Sequence, residues 1–454
     1  MKLLLVSWYF PPANTIAAVR IEKLARYLHR QGHDVRVLSA RDQPVPQGLA
    51  SELPPARVVR TRWWNLPAAS ARVIRALRRR RPAAAARQAQ AQAVPPPPDG
   101  TDPAPRRPWR HHLRALLFFP DYQLGWIPPA LRAGRRLLAE GRPDVVYASG
   151  PPFSTLVIGW RLARAFRLPL VVEFRDRWSD DPYDPPGALR QRLDRWLERR
   201  IVADATALVT VSEPWAETYR TRFGKPTLVL ANGYDPALVD PARASRPTSA
   251  EGPLRIVYTG GIYPGRRDPA LLFAAIARLG ADPAAIRVDF YGTRPAHVWP
   301  LAEQHGVSAC VAVHPPLPQP EAVRRQLDAD VLLLMQWQDP REQGNVPGKL
   351  FEYLGARRPI LLIGLEGGVP HGFLTARGAG HLARDPAQVA ALLRDWLAQK
   401  RAGGIPPLPE SVSRGLSHDA QFARLPGFLE TVLAPADAQT APAPSGASAQ
   451  EEGA

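Results

Sequence analysis

Gly344-Asn345-Val346-Pro347-Gly348-Lys349-Leu350-Phe351-Glu352-Tyr353-Leu354, followed by Arg357-Arg358-Pro359-Ile360-Leu361-Leu362-Ile363, reads as a loop, a short helix and a buried strand. The apolar run Val331 to Met335 predicts another strand upstream, which makes this one unit of a parallel α/β sheet. Pro347 suits a first helical turn, where its missing N–H is not needed. Gly348 lets backbone approach a ligand, and the free N–H groups at the helix start favour an anion. Lys349 adds a positive charge at that end, and Glu352 projects one turn later on nearly the same face. A cation near a diphosphate and a carboxylate near a diol are what a nucleotide-sugar needs. The plainer alternative is an i,i+3 surface pair worth ~0.2–0.5 kcal/mol. A P-loop is excluded, because Leu350 stands where Ser or Thr would follow the lysine.

Outward from this stretch, a strand at Leu254 to Thr259 opens a Rossmann-like second domain, 253–408. Its loop, Gly260-Gly261-Ile262-Tyr263-Pro264-Gly265-Arg266-Arg267, leads into a helix through Leu279. Arg287 to Tyr291 predicts a strand ending in Gly292-Thr293, and Ala309 to Val313 predicts another. A helix begins at Pro318 to Glu321. Ala387 to Leu397 is amphipathic, His418 to Leu433 predicts a terminal helix, and 434–454 lacks the apolar content for a core.

The first 235 residues follow the same α/β order. Leu3 to Val6 is a strand, and the loop holding Asn14 precedes a helix with apolar positions Ala18, Ile21, Leu24, Ala25 and Leu28. Gln31 to Asp34 is the turn into the strand Val35 to Leu38, with His33 a turn residue. Val145 to Ser149 and Leu170 to Phe174 continue the sheet, with Ser154 opening a helix after the first of these. The second carries Arg175-Asp176-Arg177-Trp178 at its carboxyl end, where open α/β sheets gather ligands. Asp176 reads as an acceptor-orienting group or proton acceptor; the competing reading is an ion cluster with Arg175 and Arg177. Ala207 to Val211 is a further strand, and Asn232-Gly233-Tyr234-Asp235 closes the domain.

The 344–363 stretch resembles the donor-binding motif of GT-B glycosyltransferases, specifically the large retaining family 4 that includes sucrose synthases and bacterial mannosyltransferases. Pro347 to Leu354 is similar to a bacterial subgroup building lipopolysaccharide, capsule and exopolysaccharide. That family usually carries two glutamates eight residues apart; here the second is Glu352 and the first position is Gly344. The resemblance implies two Rossmann-like domains facing across a cleft. It implies a nucleoside-diphosphate sugar held mainly by the second domain, through Gly260, Gly261, Arg266, Gly292, Asn345, Gly348 and Glu352. Arg267 and Lys349 would stabilise the departing diphosphate, with Gly261 standing where an arginine is usual and Lys349 compensating for it. Asn14, Ser154 and Trp178 would face a saccharide or polyprenyl-diphosphate-linked saccharide acceptor beside Asp176. Retention by same-face departure and attack needs no protein nucleophile, and fixed cations with helix dipoles take the place of a metal in this fold, so no metal and no cofactor are expected.

At 454 residues the chain has room for two such domains. Its single cysteine, Cys310, excludes a disulfide framework and suits a reducing cytosol. No signal peptide or membrane span is read in the sequence, which points to a cytoplasmic protein. The net charge is +18. From Arg57 to Arg114 arginines crowd against only two acids, Asp99 and Asp102. Within this block, 66–110 reads as a basic, partly disordered insertion with a short helix at Ala69 to Arg81. The aromatic-apolar residues Trp109 to Phe119 follow it. Such a combination suits an anionic membrane surface, or else a solvated insertion; nucleic acid ranks last because no known binding module frames the arginines. An epimerase or nicotinamide oxidoreductase lacks support, since no Gly-x-Gly-x-x-Gly follows a strand. Gly344 and Gly261 keep open a non-catalytic protein on a decayed transferase fold.

Overall fold

The computed structural model describes residues 1–66, 115–183, 187–280 and 283–434, and the basic helix expected at 69–81 and the tail from 435 lie outside them. Near-continuous runs of Leu, Val and Ile make strands that must be covered on both faces, the condition for parallel sheets. Two such sheets form.

The first takes β1 (Lys2–Ser7), β2 (Asp34–Ala40), β3 (Val58–Thr61), β4 (Val145–Gly150), β5 (Leu170–Phe174), β6 (Ala207–Thr210) and β7 (Thr227–Val229) in the order β3-β2-β1-β4-β5-β6-β7. The second takes β8 (Leu254–Thr259), β9 (Ile286–Tyr291), β10 (Val311–His314), β11 (Val331–Met335), β12 (Ile360–Ile363) and β13 (Gly380–Ala383) in the order β10-β9-β8-β11-β12-β13. All strand pairs are parallel, with Leu3 opposite Val35 and Val145, and Leu332 opposite Ile360. The chain therefore forms two Rossmann-like domains, as the alternation of strand and helix patterns predicts.

The stripe Ala18, Ile21, Leu24, Ala25 and Leu28 is buried on the helix Ile16–Arg30, whose N-cap Thr15 accepts a hydrogen bond from the Ala18 amide at 3.2 Å. Some boundaries differ from the sequence reading. Ser308–Cys310 is a 3-10 turn, so the strand expected from Ala309 begins at Val311, and Cys310 is buried. The terminal helix is two, His418–Phe422 and Arg424–Leu433. Pro347 lies just before the N-cap Gly348 rather than in the first turn of the helix Lys349–Ala356. The short strands β3 and β13 escape the sequence because Arg60 and His381 interrupt them, leaving no apolar run of the kind that marks β12.

The two terminal helices pack on the first sheet, where Phe422, Leu425 and Leu429 are buried with Leu3, Leu5, Ile21 and Leu24. The chain thus crosses between the sheets twice, and the crossings touch. The Tyr234 amide donates to Leu416 and the His418 amide to Tyr234, at 3.1 and 2.9 Å. A Cβ on Gly233 would lie 2.5 Å from the His418 nitrogen, so no side chain fits there. Asn232 accepts from Arg20, and Asp235 pairs with Lys23, which ties this crossing to the first helix.

Candidate functional site

The carboxyl ends of β8, β11 and β12 carry the loops that build one wall of the interdomain cleft. The helix Lys349–Ala356 begins there at Gly348, with no side chain capping its first amides. The Lys349 ammonium sits 3.7 Å from the centroid of the Tyr258 ring. It also reaches Gly260, whose φ is +122° and where a Cβ would come within 2.8 Å of Nζ. Gly260 is needed here both for its backbone and for its lack of a side chain. Burial, with the neighbouring Arg267 charge adding to it, lowers the Lys349 pKa to about 7, against the pull of Glu352. The cation predicted at Lys349 thus lies in the Gly260-Gly261 loop, and space beside Gly261 is open.

Glu352 does not pair with Lys349. Its two carboxylate oxygens accept from Gln319 Nε2 at 3.0 Å and Gln326 Nε2 at 3.1 Å. Gln326 also donates to Thr259 Oγ1, and the Tyr353 hydroxyl accepts from the Thr259 amide. Glu352 is half-buried and its rotamer is fixed by amides from the facing helix Gln319–Leu327. Gly292, at φ +79°, ends β9 beside Pro316, and Thr293 Oγ1 donates to the Gly260 carbonyl.

Arg267 is largely buried ahead of the helix Ala270–Leu279. It pairs with the fully buried Glu342 and donates to the Tyr183 hydroxyl. Burial opposes its charge, but Glu342 and then Tyr183 raise its pKa. Tyr183 donates to the other oxygen of Glu342 at 2.5 Å, and Asn345 Nδ2 donates to Glu342 at 3.2 Å. Arg266 donates to the Tyr183 carbonyl at 3.1 Å and lies over Trp337, 4.5 Å from its centroid. Sequence reasoning missed Glu342 and Tyr183. The only signal was an acid two residues before the empty glutamate position, and pairing across domains leaves no periodicity.

Gly344 is itself an interdomain contact. A Cβ there would lie 2.1 Å from Trp215 Cδ1, and its carbonyl accepts from Ser212 Oγ at 2.6 Å. No glutamate can occupy this position while Trp215 stays in place.

The first domain supplies the opposite wall. Asp176 is exposed and has no hydrogen bond or ion pair with a described residue. Arg175 turns away to Ser149 Oγ, at 3.1 Å, and to the Pro151 carbonyl, so the Arg175–Asp176–Arg177 ion cluster does not form. Surrounding protein raises the Asp176 pKa, while Arg175 and Arg267 pull it down. Asn14 is exposed at the mouth of the loop before the first helix. Trp178 and Ser154 are placed otherwise. Trp178 is buried, stacks on Phe153 at 4.4 Å and donates to Asp194; the Ser154 hydroxyl and amide both bond Asp121, at 2.5 and 2.7 Å. Both position the loops around the cleft rather than offering free groups to it.

No group of three metal-ligating side chains occurs among the described residues. The sequence holds one Asp-x-Asp, Asp328-Ala329-Asp330. Asp330 is buried on Lys400 and Thr248, and Asp328 pairs with Arg243, so both carboxylates are committed to structural contacts.

A family model described as a glycosyl transferase 4-like domain matches residues 83–235. No curated protein matches the sequence. Among solved structures, the chain is similar to a sucrose-phosphate synthase from Thermosynechococcus elongatus. The TM-score is 0.59 at 15% identity, over 95% of this chain and 96% of that one. It is also similar to Alr3699/HepE of Anabaena in complex with UDP, at TM-score 0.56 and 13% identity, over 95% and 100% of the two chains. A third similar structure, the apo lipopolysaccharide outer core galactosyltransferase WaaB, gives TM-score 0.50 at 14% identity, over 95% of this chain and 97% of that one. The two facing Rossmann-like domains are therefore the GT-B fold, and with the domain match over 83–235 they support a GT-B glycosyltransferase.

Proposed function

We propose that the protein transfers a sugar, with retention and without a metal, from a nucleoside-diphosphate sugar to a saccharide or polyprenyl-diphosphate-linked saccharide, in cell-surface polysaccharide or glycolipid assembly. One observation carries this reading. The Lys349 ammonium lies at a helix N-terminus against the Gly260 loop, and Glu352 is held one turn further by two amides. A diphosphate fits the first position and ribose hydroxyls the second. The similar Anabaena structures hold UDP and UDP-glucose, which favours a uridine donor.

In this reading the bond from the anomeric carbon to the diphosphate oxygen breaks while Lys349, Arg267 and the helix amides take up the developing charge. The acceptor oxygen attacks the same face, and its proton passes to the departing diphosphate or to Asp176, which no described residue holds. Gly344 and Gly261 do not favour a decayed site. Gly344 is required by Trp215, and Lys349 brings a cation against the adjacent Gly260 while the space at Gly261 stays open.

An anionic membrane surface belongs to the same reading. The helix Ala188–Asp204 turns Leu189, Arg192, Trp196, Arg199 and Arg200 outward, while Asp194 and Glu198 are buried. No helix among the described residues is long and apolar enough to cross a membrane. Attachment would be peripheral, on the cytoplasmic face.

Thermal stabilisation by UDP-, GDP- and dTDP-sugars tests the donor, since a ligand at 100 Kd adds about 2.7 kcal/mol. Acceptor-dependent release of nucleoside diphosphate tests transfer. Lys349→Ala should lower kcat by ~2.7–4 kcal/mol of transition-state stabilisation, with sugar preference unchanged. A protein that no nucleotide-sugar stabilises, and that releases no diphosphate, is not this enzyme.

A further inference from the structure

Arg267 reaches Glu342 and Tyr183 through one nitrogen, Nη2. Its Nε is buried and has no hydrogen-bond partner among the described residues. A buried, charged donor left unpaired is costly unless something is meant to meet it. Glu342 is 0% exposed and pairs with Arg267, so removing either partner leaves a buried group unmatched. The guanidinium is therefore anchored along one edge, and its remaining donors are held in a set direction.

The third member of this cluster comes from the other domain. Tyr183 lies on the loop after β5, in the acceptor-side domain, and among the described residues it supplies the hydrogen bonds that join this cluster to that loop. Its hydroxyl bridges Glu342 and Arg267, and its carbonyl accepts from Arg266. Two guanidiniums lie over its ring, 4.8 Å away for Arg267 and 5.4 Å for Arg266, and it packs near Tyr263 and Trp337. Two arginines side by side repel one another, and the face of a ring with a carboxylate behind it offsets that repulsion.

We propose that Tyr183 is a positioning residue of the donor site: it clasps Arg267 and Glu342 across the cleft, so that the donor diphosphate meets a preset guanidinium only when the two domains are closed on each other. The diphosphate role of Arg267 rests on the proposed function; the clasp between domains does not. Donor binding to the second domain alone would then be separable from the reaction, because the Glu342–Arg267 pair survives without Tyr183. Tyr183 would affect turnover more than donor affinity.

The test uses the full chain with Tyr183→Phe and Tyr183→Ala. Tyr183→Phe keeps the ring and removes the hydroxyl that bridges both charged groups. It should lower kcat about tenfold, the scale of one hydrogen bond to a charged group, and change the Kd for UDP less than about threefold. Combined with Glu342→Gln it should cost much less than the two single changes together, because both break the same cluster. Small-angle scattering without ligand should show a more open particle for Tyr183→Ala than for the parent. An unchanged rate in Tyr183→Phe, or a loss of UDP affinity equal to the loss of rate, would overturn the positioning role. Identical scattering from parent and Tyr183→Ala would overturn the clasp. If the parent binds no nucleotide, the proposed function fails, and the scattering comparison still decides whether the clasp exists.

Discussion

Lys349 combines two properties that pull in opposite directions. It is the cation of a proposed diphosphate site, yet burial and Arg267 hold its pKa near 7 instead of the ordinary 10.5. Between these values the unfolded chain keeps a proton that the native protein has lost. The residue's burden on stability is thus full below about pH 7 and is relieved as pH rises toward 10.5. Anion binding runs the other way, because it needs the charged form. Affinity for a nucleoside diphosphate should fall as pH rises above 7, by up to about tenfold per unit. Lys349→Arg stays charged throughout and should lack this component. Calorimetric titration from pH 6 to 9 checks it, with the variant controlling for titration of the phosphate itself. Parallel profiles for parent and variant would remove Lys349 from the diphosphate.

At the scale of one element, the helix Ile16–Arg30 does more than cover the first sheet. Arg20 is buried, bonds Glu173 at 2.7 Å, and donates to the carbonyls of Leu230 and Ala231 at 2.6 and 3.0 Å. It thereby fixes the crossing segment to the sheet. Burial alone would raise the pKa of Glu173, but Arg20 and Arg175 outweigh it and hold it below the ordinary 4.5. The stability this gives is present above about pH 4.5 and is lost as pH falls through the native value. Arg20→Met leaves a buried carboxylate without its main partner and should cost ~3–5 kcal/mol in urea denaturation. A loss under 1 kcal/mol would mean that Arg175 alone satisfies Glu173. The buried stripe of this helix was legible from its spacing. Arg20 was not, since an arginine between Val19 and Ile21 reads as surface until its partners are placed.

Over the whole molecule, the outward side of Ala188–Asp204 joins exposed Trp196 and Leu189 to arginines. The segment from 115 is tied to the same helix, since Arg190 donates to the carbonyls of Ala115 and Pro120. The sequence placed lipid affinity in the block Arg57 to Arg114, most of which lies outside the described residues. The fold adds a second contribution that periodicity did not reveal. Changing Arg192, Arg199 and Arg200 to Gln should weaken binding to phosphatidylglycerol vesicles by roughly 100-fold at low salt, at ~1 kcal/mol per charge. The difference should shrink as salt rises, and UDP affinity should stay as in the parent. Unchanged vesicle sedimentation would leave this helix without a lipid role.

The sequence by itself determined the two parallel sheets, the crossing at Asn232 to Asp235, and the strand–loop–helix that carries Lys349 and Glu352. These follow from local signals: apolar runs, helical spacing, and glycines where backbone must come close. Only the tertiary structure decided what those residues meet. It set Lys349 against Gly260, locked Glu352 between Gln319 and Gln326, and left Asp176 free by drawing Arg175 to Ser149. It made Gly344 a seat for Trp215 and moved the acid of that loop to Glu342, on Arg267 and Tyr183. The reason is that a buried charge is tolerated only where its partner stands, and those partners lie up to 159 residues away in the chain, where no local pattern can record them.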